Sequence, residues 1–260
     1  TGDTICLKMK SRELPLTLQD IRIRAWLYCP EDSFRGLRPA VVFCHGIPGG
    51  KPDPNDRGYL DMVEGLVSEG YCCVIFNFRG CGLSGGNIDM NGWYEDLSAV
   101  VFRIYNTPGI DPSSIHCVAF SAGGAVAARF AAMEKHLQSL LLMATPENFG
   151  EILPKDPLEL EHHFRRIGVI RDEHFPPDLR SWYDDFLGLK PAEQLPFISP
   201  RPVGIVHGEN DETVPPDHAG RLFAAACHPK KLIMLPQAAH QLRKDPRTLP
   251  IIKDWLKRAR

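Results

Sequence analysis

Apolar positions along this chain recur with two spacings. Val41, Val42, Phe43 and Cys44 form an unbroken apolar run of the kind found in strands buried on both faces. Similar stretches predict strands over Tyr71 to Phe78, Ser114 to Phe120, Gln138 to Ala144, Val203 to Val206 and Lys231 to Leu235. Between them a helical period takes over. Leu60, Val63, Leu66 and Val67 mark one helix, closed by Gly70, and Trp93, Leu97, Val100, Val101 and Ile104 mark another, ending before Pro108-Gly109. An Ala-rich helix runs from Ser121 to about Glu134, another covers 217–227, and Pro250 opens a closing helix with Ile252, Trp255 and Leu256 inward. Residues 4–10 and 20–28 alternate apolar and polar (Ile5, Leu7, Met9; Ile21, Ile23, Ala25, Leu27) and predict two antiparallel strands at the start of the sheet. Strand and helix alternating in this way predict an α/β fold, a mostly parallel sheet with right-handed crossovers.

The rhythm breaks between about Thr145 and Pro200. That stretch is richer in charge, His and Pro, and holds two short helical patterns near 157–167 and 177–187. It reads as an insertion over one end of the sheet, so that 1–144 and 201–260 form the core and 145–200 a separate covering element.

Composition narrows the class without changing the fold. The chain has 260 residues, 43% hydrophobic and 24% charged, within the size of one large α/β domain. A formal net charge of -2 and the lack of a dense basic run give no electrostatic case for nucleic acid. No apolar stretch approaches the length of a membrane span. Of the eight cysteines, Cys44, Cys72, Cys73 and Cys117 lie in strand-like runs, where a thiol behaves as a small hydrophobe, and no CxxC pair suggests zinc. The expectation is a cytoplasmic protein with reduced core cysteines. No feature sets an oligomeric state.

The candidate chemistry centres on Ala119-Phe120-Ser121-Ala122-Gly123-Gly124. A buried strand that turns through a serine into a helix of small residues exposes the hydroxyl at the sheet end, beside the free N–H groups of a helix start. A serine hydroxyl needs a base, and the base an acid to orient it. His207-Gly208-Glu209-Asn210-Asp211 follows a later strand; Asp211 is the chosen acid, ahead of Glu209 and Glu212, because Val214-Pro215 then turns the chain back. Ala238-Ala239-His240 follows the last strand and offers His240 as base, whereas His228 precedes that strand and should emerge at the wrong end. His45 and His207, each before a glycine at a strand end, read as structural. His162 and His163 are adjacent on a helix and cannot share a face for a metal.

Gly82-Leu83-Ser84-Gly85-Gly86 matches GxSxG better than the stretch around Ser121. No helix of small residues follows Ser84, however, and it lies one crossover too early for a central nucleophile. Ser121 is therefore preferred. The backbone N–H of Ala122, next after the serine, and that of Ile47, in His45-Gly46-Ile47-Pro48-Gly49-Gly50, are the expected oxyanion donors. Pro48 is a candidate for a cis bond.

Taken in order, His45-Gly46-Ile47-Pro48-Gly49-Gly50, Arg79-Gly80-Cys81-Gly82-Leu83-Ser84, Ala119 to Gly124, His207 to Asp211 and His240 resemble the α/β-hydrolase superfamily over nearly the whole chain. The departure is Ala119, where the commoner motif has glycine. The resemblance implies an α/β-hydrolase fold of about eight strands with a small helical cap, matching 145–200, and a non-catalytic role for the Arg79 to Ser84 loop. No cofactor or metal is expected. With Ser121 as nucleophile, His240 as base and Asp211 as acid, the expected activity is hydrolysis of carboxylic esters or thioesters of a small-molecule acyl substrate. An amide-cleaving peptidase and a non-catalytic binding protein on the same fold are the alternatives.

Overall fold

The computed structural model describes residues 9–31, 36–49 and 56–259. Eight strands form one sheet: β1 (Met9–Leu18), β2 (Ile21–Pro30), β3 (Arg38–Cys44), β4 (Cys72–Phe76), β5 (Ile110–Phe120), β6 (Ser139–Met143), β7 (Val203–Gly208) and β8 (Lys230–Leu235), in spatial order β1-β2-β4-β3-β5-β6-β7-β8. β1 and β2, and β2 and β4, pair antiparallel; every other pairing is parallel. The α/β-hydrolase arrangement expected from the sequence is present.

The helices follow from the two periods. Successive residues of a strand point to opposite faces, and β3 divides accordingly. Ala40, Val42 and Cys44 pack with α2 (Met90–Tyr105) and α3 (Ala122–Met133), while Val41 and Phe43 pack with α1 (Leu60–Val67) and α8 (Thr248–Arg258). On α2 the five apolar positions Trp93, Leu97, Val100, Val101 and Ile104 are all buried. Trp93 stacks on Phe78 with ring centroids 4.3 Å apart, a contact worth about 1 kcal/mol beyond its buried area. α7 (Asp217–Ala225) lies between β7 and β8.

Between β6 and β7 the chain makes α4 (Pro157–Arg166), α5 (Leu179–Gly188), the short α6 (Pro191–Gln194) and a 3-10 turn. Asp156 and Asp178 cap α4 and α5 by accepting from Leu158 and Ser181 N–H. Phe164, Trp182 and Phe186 meet edge-on or tilted within 5.2–5.8 Å of one another and belong to the same core as α2 and α3.

Three expectations need correction. The first strand is Met9–Leu18 rather than 4–10, whose residues 4–8 lie outside those described. Pro15 hides this strand from a sequence reading, yet β1 is at the sheet edge, where a missing N–H is tolerated. Cys72 is not reduced: it forms a disulfide with Cys29. The two residues face each other across β2 and β4, one step beyond the Tyr28–Cys73 pair, with Cα atoms 4.3 Å apart, a separation typical of directly opposed antiparallel residues. Cys44, Cys73, Cys81 and Cys117 are buried free thiols. Among the described residues the cis peptide bonds precede Pro176, Pro200 and Pro229, not Pro48. Gly50 lies outside the described residues.

Candidate active site

Parallel pairing brings the carboxyl ends of β3, β5, β6 and β7 to one edge, and the loops that follow them meet there. β5 ends at Phe120, and α3 begins at Ala122, so a single residue, Ser121, makes the turn. Its backbone sits at φ 50° and ψ -126°, a region that costs a non-glycine residue about 1–3 kcal/mol. Two hydrogen bonds hold it there: Ser121 N–H to the Met143 carbonyl (2.8 Å) and Gly124 N–H to the Ser121 carbonyl (2.9 Å). Serine is a favoured helix cap, yet the Ser121 hydroxyl does not cap α3.

The hydroxyl is instead 3.0 Å from His240 Nε2. On the other side of that ring, Nδ1 is 2.8 Å from Asp211 Oδ2. An ionised carboxylate only accepts, so His240 Nδ1–H donates to it, and Nε2 is left to accept from Ser121 O–H. The loops carrying Asp211 and His240 are tied together directly: Asn210 N–H donates to the Ala238 carbonyl and Glu209 N–H to the Leu235 carbonyl. His228, the rival base, precedes β8 at the opposite end of the strand, where its carbonyl accepts from Ser199.

Asp211 is 4% exposed and surrounded by donors. Thr213 and Val214 N–H reach Oδ1 at 3.0 and 2.8 Å, and His207 Nε2 lies 3.2 Å from Oδ2. Burial pushes the carboxyl up, but His207, His240 and Val214 outweigh it and hold Asp211 well below the ordinary carboxylate range. His207 thus touches Asp211 directly, a contact that the expectation of a structural place for His207 did not include. The signal was its i,i+4 spacing to Asp211. Its Nε2–H also lies 2.9 Å from the Val214 carbonyl.

The loop after β3 passes close above the serine. A Cβ on Gly46 would stand 2.8 Å from Ser121 Cβ and 3.3 Å from its Oγ, and one on Gly123 would stand 2.2 Å from the His45 carbonyl. Only glycine lets the loop, the serine and α3 approach this closely. Ile47 follows at once, and Ala122 is the first residue of α3, whose N–H has no acceptor within its own helix. His45 fixes the loop: Phe78 N–H donates to its Nε2 (3.0 Å), so the proton is on Nδ1, 2.6 Å from the Gly46 carbonyl. Burial lowers its pKa to about 4, against a smaller opposing effect of that carbonyl, so the ring is neutral near pH 7. Its ring also meets those of Phe78 and Trp93 edge-on.

Ser84 has a different setting. It is 1% exposed, donates to the Asn77 carbonyl (2.6 Å) and accepts from Arg24 N–H (2.9 Å), and among the described residues no base reaches it. Beside the His240 loop, a cavity of about 430 Å³ is lined by Asp56, Arg57, Asp61, Arg243 and Lys244 among others. Arg243 holds both oxygens of Asp56 at 2.6 and 2.5 Å, so the charges of that wall neutralise one another.

Comparison with known proteins agrees with the fold. The sequence pattern of a family described as alpha/beta hydrolase fold matches residues 39–201. An uncharacterized protein of Mycobacterium tuberculosis is 27% identical over 242 residues, covering 92% of this chain and 74% of its own length. Among solved structures, the alpha/beta hydrolase GrgF from a Penicillium species superposes with a TM-score of 0.74 at 22% identity, covering 97% of this chain and 99% of that one. An esterase domain from a Rhodothermus marinus protein superposes with a TM-score of 0.67 at 19% identity, covering 96% and 98%. Among the described residues, no helix is long and apolar enough to cross a membrane.

Proposed function

Because this chain belongs to the alpha/beta hydrolase fold family, we propose that it is a serine hydrolase of carboxylic esters or thioesters, working through Ser121, His240 and Asp211. The observation that carries the reading is the unbroken chain of short contacts from Ser121 Oγ to His240 to Asp211. Ser121 Oγ attacks the acyl carbonyl while His240 Nε2 takes its proton, and the negative charge that develops on the carbonyl oxygen is met by the N–H groups of Ala122 and Ile47. His240 returns the proton to the departing alcohol or thiol, leaving the acyl group on Ser121. Water then attacks that ester, with His240 again taking a proton, and the acid leaves as the serine is restored. Asp211 keeps the imidazole in the tautomer this requires and stabilises the imidazolium between steps.

Residues 145–200 act as a cap over the site and 1–144 with 201–260 as the catalytic core. The insertion leaves the sheet at the carboxyl end of β6, the edge at which Ser121 lies, and its core side packs in the same cluster as Ile47. The partner is a small acyl compound. A cytoplasmic setting loses the support that rested on a reduced Cys72.

Turnover should be compared across p-nitrophenyl esters, acyl thioesters and aminoacyl amides, with Ser121→Ala as control. Ester or thioester turnover that vanishes in the variant supports the reading. Faster turnover of the amides would replace it with a peptidase, and binding without turnover of any of them would replace it with a non-catalytic protein.

A further inference from the structure

His207 stands one residue before the end of β7 and is wholly buried. Its Nε2 faces two groups that only accept, the Val214 carbonyl at 2.9 Å and Asp211 Oδ2 at 3.2 Å. That nitrogen therefore carries the proton and shares it between them. Nδ1 is left as an acceptor, and among the described residues it has no hydrogen-bond partner. A buried nitrogen without a partner is destabilising. A leucine would fill much of the same space without that loss, so packing alone does not account for an imidazole here. The useful part of the ring is its Nε2–H.

That N–H completes a set of donors around one carboxylate. Asp211 Oδ1 accepts from Thr213 and Val214 N–H at 3.0 and 2.8 Å, and Oδ2 accepts from His240 Nδ1–H at 2.8 Å. His207 takes the remaining place on Oδ2. Donors on both oxygens fix the plane of the carboxylate, so that Oδ2 points at His240. They also share its charge, because each N–H on Oδ2 takes up negative charge that would otherwise act on the His240 ring. Other charges are turned elsewhere. Among the described residues, Asp211 is the only carboxylate within ion-pair distance of either histidine. Glu209 and Glu212 in the same loop are exposed, while Arg243 and Lys244, after His240, face Asp56. On its other side His240 meets the Ser121 hydroxyl.

We propose that His207 is a positioning residue for Ser121, His240 and Asp211, aiming the Asp211 carboxylate at His240 and moderating its pull on the imidazolium. The inference rests on the hydrolase reading and deepens it. His207 touches no reacting atom and acts only through Asp211. Without its N–H, more of the carboxylate charge would act on His240 and favour the imidazolium. The acid limb of the rate would then move to higher pH. A role in packing alone would lower stability, or activity at every pH alike, and leave that limb in place.

The test compares His207→Leu, which has no donor, with His207→Gln, whose amide nitrogen can occupy the Nε2 position. The acid-limb midpoint of kcat/KM for a p-nitrophenyl ester should rise by about 0.5–1 pH unit in His207→Leu and stay within about 0.2 unit of the parent protein in His207→Gln. On the plateau, kcat should fall by about tenfold in His207→Leu with KM within about threefold, and His207→Gln should recover most of that loss. An unmoved midpoint in His207→Leu overturns the proposal. The same displacement in both variants also overturns it, because the Nε2–H would not be the operative group. If His207→Leu does not fold, His207→Asn, whose amide is one bond too short to reach Asp211, takes its place. NMR titration of the His240 ring in the same proteins reads the displacement without turnover. If the parent protein hydrolyses no ester, the hydrolase reading fails, and the NMR titration alone decides whether His207 acts on His240 through Asp211.

Discussion

His240 Nε2 lies 3.0 Å from Ser121 Oγ, although 119 residues separate them in the chain. Nothing local brings them together. One stands at a strained turn after a central strand and the other on the loop after β8, the edge strand on the far side of β6 and β7. The contact is a product of strand order, and it is positioned before any substrate arrives. Asp211, from the loop between them, completes the alignment.

Asp211→Asn should therefore preserve the shape of the site and remove its function. The amide can present an N–H where His240 needs an acceptor, which favours the wrong imidazole tautomer. The expected result is a fall in kcat of about 10³–10⁴-fold with KM within about threefold. Steady-state kinetics on the best ester of the panel provide the check.

The acid limb of the pH profile should report a single proton. The base must be neutral to accept from Ser121, so kcat/KM falls as His240 is protonated, by about tenfold per pH unit. Asp211, held below the usual carboxylate range, stays ionised through this limb. His45, lowered to about 4, stays neutral above about pH 5 and adds no second ionisation. A limiting slope of one on the acid limb above about pH 5 is expected, and a slope of two would contradict this assignment. The same depressed Asp211 carboxyl gives stability that is fully present above its unfolded value of 3.8 and is lost as pH falls through its lower folded value.

Gly46→Ala tests the crowding above the serine. The added methyl group would lie 2.8 Å from Ser121 Cβ, so either the loop or the serine must move. Stability should fall by about 1–3 kcal/mol, and kcat by about 10²-fold, because a displacement of about 1 Å disturbs the attack geometry. Thermal melts and kinetics on the same preparation separate the two effects.

Ser84→Ala should do the reverse. Removing the hydroxyl leaves the Asn77 carbonyl and Arg24 N–H without their partner, a loss of about 1–3 kcal/mol at a buried position. Activity per folded molecule should stay within about twofold of the parent protein. Denaturant titration paired with ester turnover reads both.

These contrasts show what the sequence made legible. The buried strands and the α2 face were readable because a residue buried on both sides, or once per helical turn, leaves a composition that few other arrangements share. Strand order then singled out Ser121 over Ser84, although the local motif favoured Ser84. β1 was misplaced because Pro15 reads as a strand breaker unless the edge position is known, and its hairpin turn at Gln19-Asp20 uses positive φ at two residues that lack the usual Asn-Gly signature. The Cys29–Cys72 disulfide depends on which strands are neighbours, which spacing alone does not reveal. The same holds for the Arg171 guanidinium against the Gly80, Gly82 and Ser84 carbonyls, a contact between side chain and loop that exists only once the topology is closed. His207 against Asp211 is the contrary case, a contact within four residues whose spacing stands in the chain itself.

The most direct test of the central claim is the reactivity of one hydroxyl. The protein should be treated with a fluorophosphonate, digested, and the modified peptide located by mass spectrometry, in parallel with Ser121→Ala, Ser84→Ala and His240→Ala. One label per chain on Ser121, retained in Ser84→Ala and lost in the other two variants, is the expected result. Equal labelling of the parent protein and Ser121→Ala would contradict it.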